Sequence, residues 1–404
     1  MKRLLAFAAA LLMVSLVCVT PLAAEDEQIG ESALYDRFQD KNITINVYNW
    51  GEYISDGADD SLDVNAEFTK RTGIKVQYST FASNEELYAK LKSGGSSYDV
   101  IIPSDYMVSR MIKEDMVQPL DYNNIPNSSK IMERFQKPSY DPENRYSVPY
   151  MWGTVGIIYN TTMVDGTVNS WDILWDARYL GQILMFSNSR DAFGISLLRL
   201  GYSLNTEDPE QLREACEELK KQKPLVQAYV MDEVFDKMQG GEAALAPYYA
   251  GDAITMIKTN PDLAFAVPEE GTNCFGDAMC IPKGAQNKEA AELYINFMCE
   301  TDVAAANSEY IGYSTPQQEA YDSLDDEVKN NPIAYPSEEV LKKTERFVNL
   351  SEETNATIDS MWTEVLSTNT SSNRWFIPVL VAAAIIFSIG LNVYRRMKKN
   401  RQSI

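Results

Sequence analysis

Aromatic residues and carboxylates keep company at a few places in this chain: Trp50, Glu52 and Tyr53; Ser104, Asp105 and Tyr106; Asn188 and Asp191; Tyr248, Tyr249 and Asp252; Phe275 and Asp277. A carboxylate holds an ammonium group through charge-assisted hydrogen bonds, and an aromatic face attracts it through the ring quadrupole while covering neighbouring methylenes. Together the two residue types suit a flexible diamine or triamine. Each position also has a plainer explanation, since a lone Tyr or Trp is usually core and a lone Asp beside a strand end is usually a helix cap. The weight lies in the recurrence.

Other chemistry is narrowed by composition. The chain contains no histidine, which removes the commonest general base and the commonest metal ligand together. Cys216, Cys274, Cys280 and Cys299 show no CxxC spacing; a Cys274–Cys280 disulfide is one reading and packed free thiols another. The adjacent Tyr248 and Tyr249 with nearby carboxylates leave ferric iron as an alternative ligand, and abundant acids leave a carboxylate-dependent glycosidase as another. The main reading is a non-enzymatic binding protein with no cofactor and no metal.

The elements that must position these residues follow an α/β pattern. Strands are expected over Ile43–Tyr48, Ile74–Tyr78, Asp99–Ile102, Val155–Tyr159, Ile183–Phe186, Ala243–Ala246, Ala264–Val267 and Ala278–Ile281. Helices fall between them, one opened by a Ser83/Glu86 capping box and closed near Gly94, another running through Ala290 and Phe297. Ligands of such sheets sit beyond the carboxyl ends of the strands, where most of the aromatic–acid groups fall; Phe275 and Asp277 stand just ahead of the expected strand at Ala278. Residues 25–41 read as a polar, acidic lead-in rather than core.

The two ends differ from this body. Residues 1–24 combine Lys2 and Arg3 with an apolar run and small residues at Ala23 and Ala24, the layout of a secretory signal peptide, with an uncleaved anchor as the alternative. Residues 369–374 read as a spacer, 375–393 as an uncharged apolar span suited to a membrane helix, and 394–404 as a basic cytoplasmic tail. The ends hold eight of the 36 basic residues and none of the 58 acidic ones, so the body carries a net charge of −30. Such a surface repels nucleic acid and attracts cations.

The stretches VYNWGEYISDG, FTKRTGIKVQYSTFASNEELYAKLKSG, YDVIIPSDYMV, YSVPYMWGTVGIIYN, SWDILWD, LRLGYSLNT, DAMCIPKGAQNKEAAELYINF and IGYSTPQ resemble the spermidine/putrescine-binding proteins of bacterial ABC importers. The resemblance implies a two-lobed periplasmic-binding-protein-type fold (type II) with the ligand between the lobes, one lobe holding 42–152 and 277–321, the other 153–276 and 322–368. It implies a polyamine ligand, ABC permease subunits as partners, and cleft positions for Trp50, Glu52, Tyr53, Ser104, Tyr106, Asn188, Asp191, Tyr249, Asp252, Phe275, Asp277 and Tyr313. Asn188 stands where the family has an acid, whereas Asp252 and the Phe275/Asp277 pair are of the putrescine type. A tethered sensor of polyamine is the alternative to an importer's receptor.

Overall fold

The computed structural model describes residues 31–94 and 97–368. The signal segment 1–24, the start of the lead-in, the spacer, the span 375–393 and the basic tail lie outside the described residues. Among the described residues no helix is long and apolar enough to cross a membrane.

Ten strands form one sheet: β1 (Thr44–Trp50), β2 (Lys75–Phe81), β3 (Val100–Ile101), β4 (Ser147–Asn160), β5 (Ile183–Phe186), β6 (Val226–Val230), β7 (Leu245–Tyr249), β8 (Leu263–Ala266), β9 (Thr272–Cys280) and β10 (Thr344–Glu345). Their order is β2-β1-β3-β9-β4-β7-β5-β6, with β8 against β4 and β10 against β9. The outer groups β2-β1-β3 and β7-β5-β6 are parallel within themselves. Parallel strands covered on both faces read as apolar runs, and β5, Ile-Leu-Met-Phe, is buried throughout.

β4 and β9 join the two groups as long antiparallel strands. Residues 147–154 of β4 pair with 274–280 of β9, after which Val155–Tyr159 pair with β7. The expectation of a short strand at Val155–Tyr159 caught only the second half of β4. Likewise β9 begins at Thr272 rather than Ala278, which puts Phe275 and Asp277 inside a strand and not ahead of one. β6 was not anticipated; its Val-Gln-Ala-Tyr-Val sequence is only partly buried at the sheet's edge.

The helices that matter to the cleft are α1 (Glu31–Asp36), α2 (Val64–Thr72), α3 (Asn84–Lys92), α4 (Asp105–Lys113), α5 (Ser189–Arg199), α6 (Pro209–Gln222), α7 (Glu233–Gln239), α8 (Ala250–Thr259), α9 (Lys288–Met298) and α10 (Thr301–Ile311). The Ser83 hydroxyl accepts from the Glu86 amide at 3.1 Å, as its capping sequence predicts. The lead-in is corrected: Leu34, Tyr35 and Phe38 are buried in the main core. Leu34 and Tyr35 lie on α1 and Phe38 in the turn after it, an apolar group that acidic neighbours mask in composition.

Cys216, Cys274, Cys280 and Cys299 are all buried free thiols. Cys274 and Cys280 share strand β9. Six residues of extended chain separate them by roughly 20 Å, far beyond disulfide reach.

Candidate functional site: an acidic aromatic cleft

A cavity lined by eighteen of the described residues opens between the two strand groups. Ten of the twelve expected residues line it: Trp50, Tyr53, Ser104, Tyr106, Asp191, Tyr249, Asp252, Phe275, Asp277 and Tyr313.

The turn after β1 builds one end. Glu52 adopts a left-handed backbone, φ 50°, so the chain doubles back within one residue, leaving Glu52 exposed and returning Tyr53 to the interior. Glu52 therefore does not line the cavity, a correction to its expected place. The Tyr53 hydroxyl donates to Asp277 Oδ2 at 2.6 Å, and its ring meets the Tyr313 ring edge-on at 4.7 Å. Ser104 precedes α4 and is clamped by Asn84, whose amide donates to Ser104 Oγ and accepts from the Ser104 N–H, each at 3.1 Å. Tyr106 donates to Glu85 Oε1 at 2.9 Å and packs against Phe347.

The opposite side is built from helix starts. Asn188 caps α5 by accepting from the Asp191 amide at 2.8 Å, while its Nδ2 donates to Met231 Sδ at 3.6 Å. Here too the expected placement changes: Asn188 does not line the cavity, because both ends of its amide are committed to starting the helix and packing. Asp191, in the first turn, accepts from the Tyr249 hydroxyl at 2.8 Å. Asp252 occupies the first turn of α8. Tyr313 follows Gly312, whose φ of 78° ends α10, and its ring lies on Gly251 so closely that a Cβ there would come within 2.0 Å of Cδ2. Phe275 meets the Tyr249 ring edge-on at 5.3 Å.

Electrostatically the cavity is one-sided. Asp105, Asp191, Asp232, Asp252 and Asp277 line it and no Lys or Arg does. Among the described residues Asp105 alone of the five forms an ion pair, with Arg346 Nη1 at 3.5 Å, and burial still pushes its carboxyl up to about 6; the Arg190 charge also acts on Asp191. Burial lifts Asp277 to about 7, against the hydrogen bond from Tyr53. It also raises Asp191 and holds Asp252 well above the usual carboxylate range, helped by the charges of Asp232 and Glu52. Asp277 Oδ1, Asp105 Oδ2, Asn273 Oδ1 and Trp50 Nε1 are buried without hydrogen-bond partners. Unpaired buried donors and acceptors are costly, and here four such polar atoms share one cavity.

Sequence reasoning passed over Gly51, Asn84, Met231, Asp232, Asn273 and Phe347 as cavity residues. Asp105 and Tyr248 had been seen at strand ends without being assigned to the cleft. Met231 and Asp232 follow β6; recognising that strand would have exposed them to the same search. The ferric alternative is weakened: Tyr248 stacks on Phe186 at 5.5 Å, Tyr249 is engaged with Asp191, and burial raises both phenols well above their ordinary range, away from tyrosinate. Among the described residues no cluster of three or more His, Cys, Asp or Glu suits a metal ion.

Residues 96–344 match the model of the bacterial extracellular solute-binding protein family. The spermidine/putrescine-binding periplasmic protein of Escherichia coli is 39% identical over 326 residues, spanning 80% of this chain and 91% of that protein. A putrescine-binding periplasmic protein of Pseudomonas aeruginosa is 31% identical, spanning 81% and 92%. A solved structure described as a spermidine/putrescine ABC transporter from Listeria monocytogenes superimposes with a TM-score of 0.76 at 38% identity, over 80% of this chain and 99% of that one. The architecture is the two-lobed periplasmic-binding-protein fold. The chain belongs to the bacterial extracellular solute-binding proteins.

Proposed function

We propose that this protein is an extracytoplasmic receptor that captures a polyamine between its lobes and delivers it to an ABC import permease. The observation that carries this reading is a buried aspartate, Asp277, with one oxygen unpartnered, in an aromatic-walled cavity that holds five carboxylates and no basic side chain. A neutral sugar would leave those charges uncompensated, and an anion would be repelled. A linear polycation satisfies both the carboxylates and the rings. The names of the relatives point the same way.

Putrescine and spermidine both belong to this reading, with Asp252 beside Phe275 and Asp277 supporting the shorter ligand. The twelve expected site residues then divide: ten would contact ligand, Asn188 orients Asp191, and Glu52 contributes field at the rim. The lobes divide at 152/153, 276/277 and 321/322, a partition supported by β4 changing partners at Thr154/Val155. A membrane tether through 375–393 fits the same role, supported by the uncharged apolar run and the five basic residues after it.

Isothermal titration of residues 25–373 with putrescine, spermidine and cadaverine tests the ligand. Micromolar or tighter binding of at least one is expected, and silence toward all three overturns the reading. Fractionation of cells expressing the full chain or a chain ending at 374 tests the tether, which predicts that only the full chain sediments with membranes.

A further inference from the structure

β5 and β6 are parallel neighbours with Phe186 paired to Val230. Two residues further along each strand, Asn188 and Asp232 leave the sheet at adjacent points of its carboxyl edge, and the contact between Asn188 Nδ2 and Met231 Sδ ties the two loops together. Asn188 is spent on its cap. Asp232 lines the cavity, and among the described residues no hydrogen bond or ion pair engages its carboxylate. The turn after β1 receives it: a Cβ on Gly51 would lie 2.4 Å from Asp232 Oδ2, so only glycine lets this carboxylate reach across the cleft to the backbone beside Trp50. Partial burial raises its pKa, and the only other contributors are the negative charges of Glu233, Glu52 and Glu86. A carboxylate pressed against the facing lobe and surrounded by like charge is relieved by a cation. The same cavity holds Asp277, 4% exposed with Oδ1 unpartnered.

We propose that Asp232 is a specificity-determining carboxylate, which holds a third ligand nitrogen at the Trp50/Gly51 end of the cleft and so admits a triamine as well as a diamine. The inference rests on the polyamine reading. Asp191, Asp252 and Asp277 suffice for two ammonium groups; Asp232 supplies the charge that Asn188, its neighbour on the sheet edge, lacks.

The test is titration of putrescine and spermidine into the wild-type protein, Asp232→Asn, Asp232→Ser and Glu233→Gln in about 0.15 M salt. Loss of one charged contact predicts spermidine binding weakened roughly tenfold or more in both Asp232 variants, with putrescine changed by less than about threefold. Glu233→Gln, an exposed charge outside the cavity, should leave both ligands within about twofold. Equal losses for the two ligands, or a Glu233→Gln effect as large as that of Asp232→Asn, overturn the proposal in favour of a general rim field. If the wild-type protein binds both polyamines and the Asp232 variants match it, this inference alone falls; if it binds neither, the polyamine reading falls with it. Among the described residues the Asp232 side chain makes no internal hydrogen bond or ion pair, so both variants should keep the wild-type melting temperature.

Discussion

Asp277, buried, and Asp191, half-buried, are carboxylates that each accept a hydrogen bond from a tyrosine, at 2.6 and 2.8 Å, yet the fold holds them by different means. Asp277 sits in the middle of β9, where alternation of the strand points it into the cleft and neighbours on both sides fix it. Asp191 sits in the first turn of α5, aimed by the Asn188 cap. The strand-held group keeps an oxygen without a partner. That oxygen is the acceptor most completely reserved for ligand, whereas the helix-held group is oriented by bonds that a single distant substitution can loosen.

This contrast ranks the expected effects. Asp277→Asn should cost the most, about 2–4 kcal/mol or roughly 30- to 900-fold in polyamine affinity, because the ligand ammonium loses its charged partner in a dry site. Asp191→Asn should cost about tenfold, since its place is already shared with Tyr249. A larger loss at Asp191 than at Asp277, read by titration calorimetry, would break the comparison.

The pH dependence sharpens it. Below 3.8 the Asp277 carboxyl is neutral whether the chain is folded or unfolded; between 3.8 and about 7 the folded, unliganded protein retains a proton that the unfolded chain has released. Its contribution to stability is therefore greatest in acid and is lost as pH rises through that window, levelling above it. Affinity runs the opposite way, because the ammonium requires the ionised form: binding should strengthen from about pH 5.5 to 7.5 and then flatten. In Asp277→Asn the slope should be shallower, the remainder coming from Asp191 and Asp252, whose carboxyls burial also raises.

Trp50→Ala removes a wall rather than a charge and should weaken binding by about 1–2 kcal/mol, roughly tenfold, with little pH dependence. Asn188→Ala tests the helix-held side from behind: about 1 kcal/mol of stability lost with the cap, seen as a melting temperature lower by roughly 2–4 °C. The smallest effect is expected for Glu52→Gln, under about twofold at physiological salt, since its charge is exposed and screened.

Much of the cleft was legible from residue chemistry. Trp50, Tyr53, Ser104 and Tyr106 end or follow strands whose β-branched patterns were plain, and Asp191, Tyr249 and Asp252 end or follow β5 and β7 in the same way. What escaped did so for identifiable reasons. β6 is half-exposed and carries a weak periodic signal, so Asp232 went with it. Phe275 and Asp277 belong to a strand that starts earlier than its apolar run, because antiparallel pairing with β4 supplies the order that Thr-Asn-Cys lacks on its own. Glu52 and Asn188 were misplaced because a side chain's direction after a strand depends on one backbone dihedral or one cap bond.

By itself, the sequence determined the class of chemistry and the class of fold: no histidine to catalyse with, a strongly acidic body, carboxylates beside aromatics, and strands alternating with helices. These follow from composition and local periodicity, which survive without knowledge of long-range contacts. Only the tertiary structure decided which acids share one cavity, that Gly51 opens a path for Asp232 and Gly251 a seat for Tyr313, and that Asp277 keeps an oxygen without a partner. Those are properties of segments far apart in the chain, and burial and unsatisfied hydrogen bonds exist only once the segments meet.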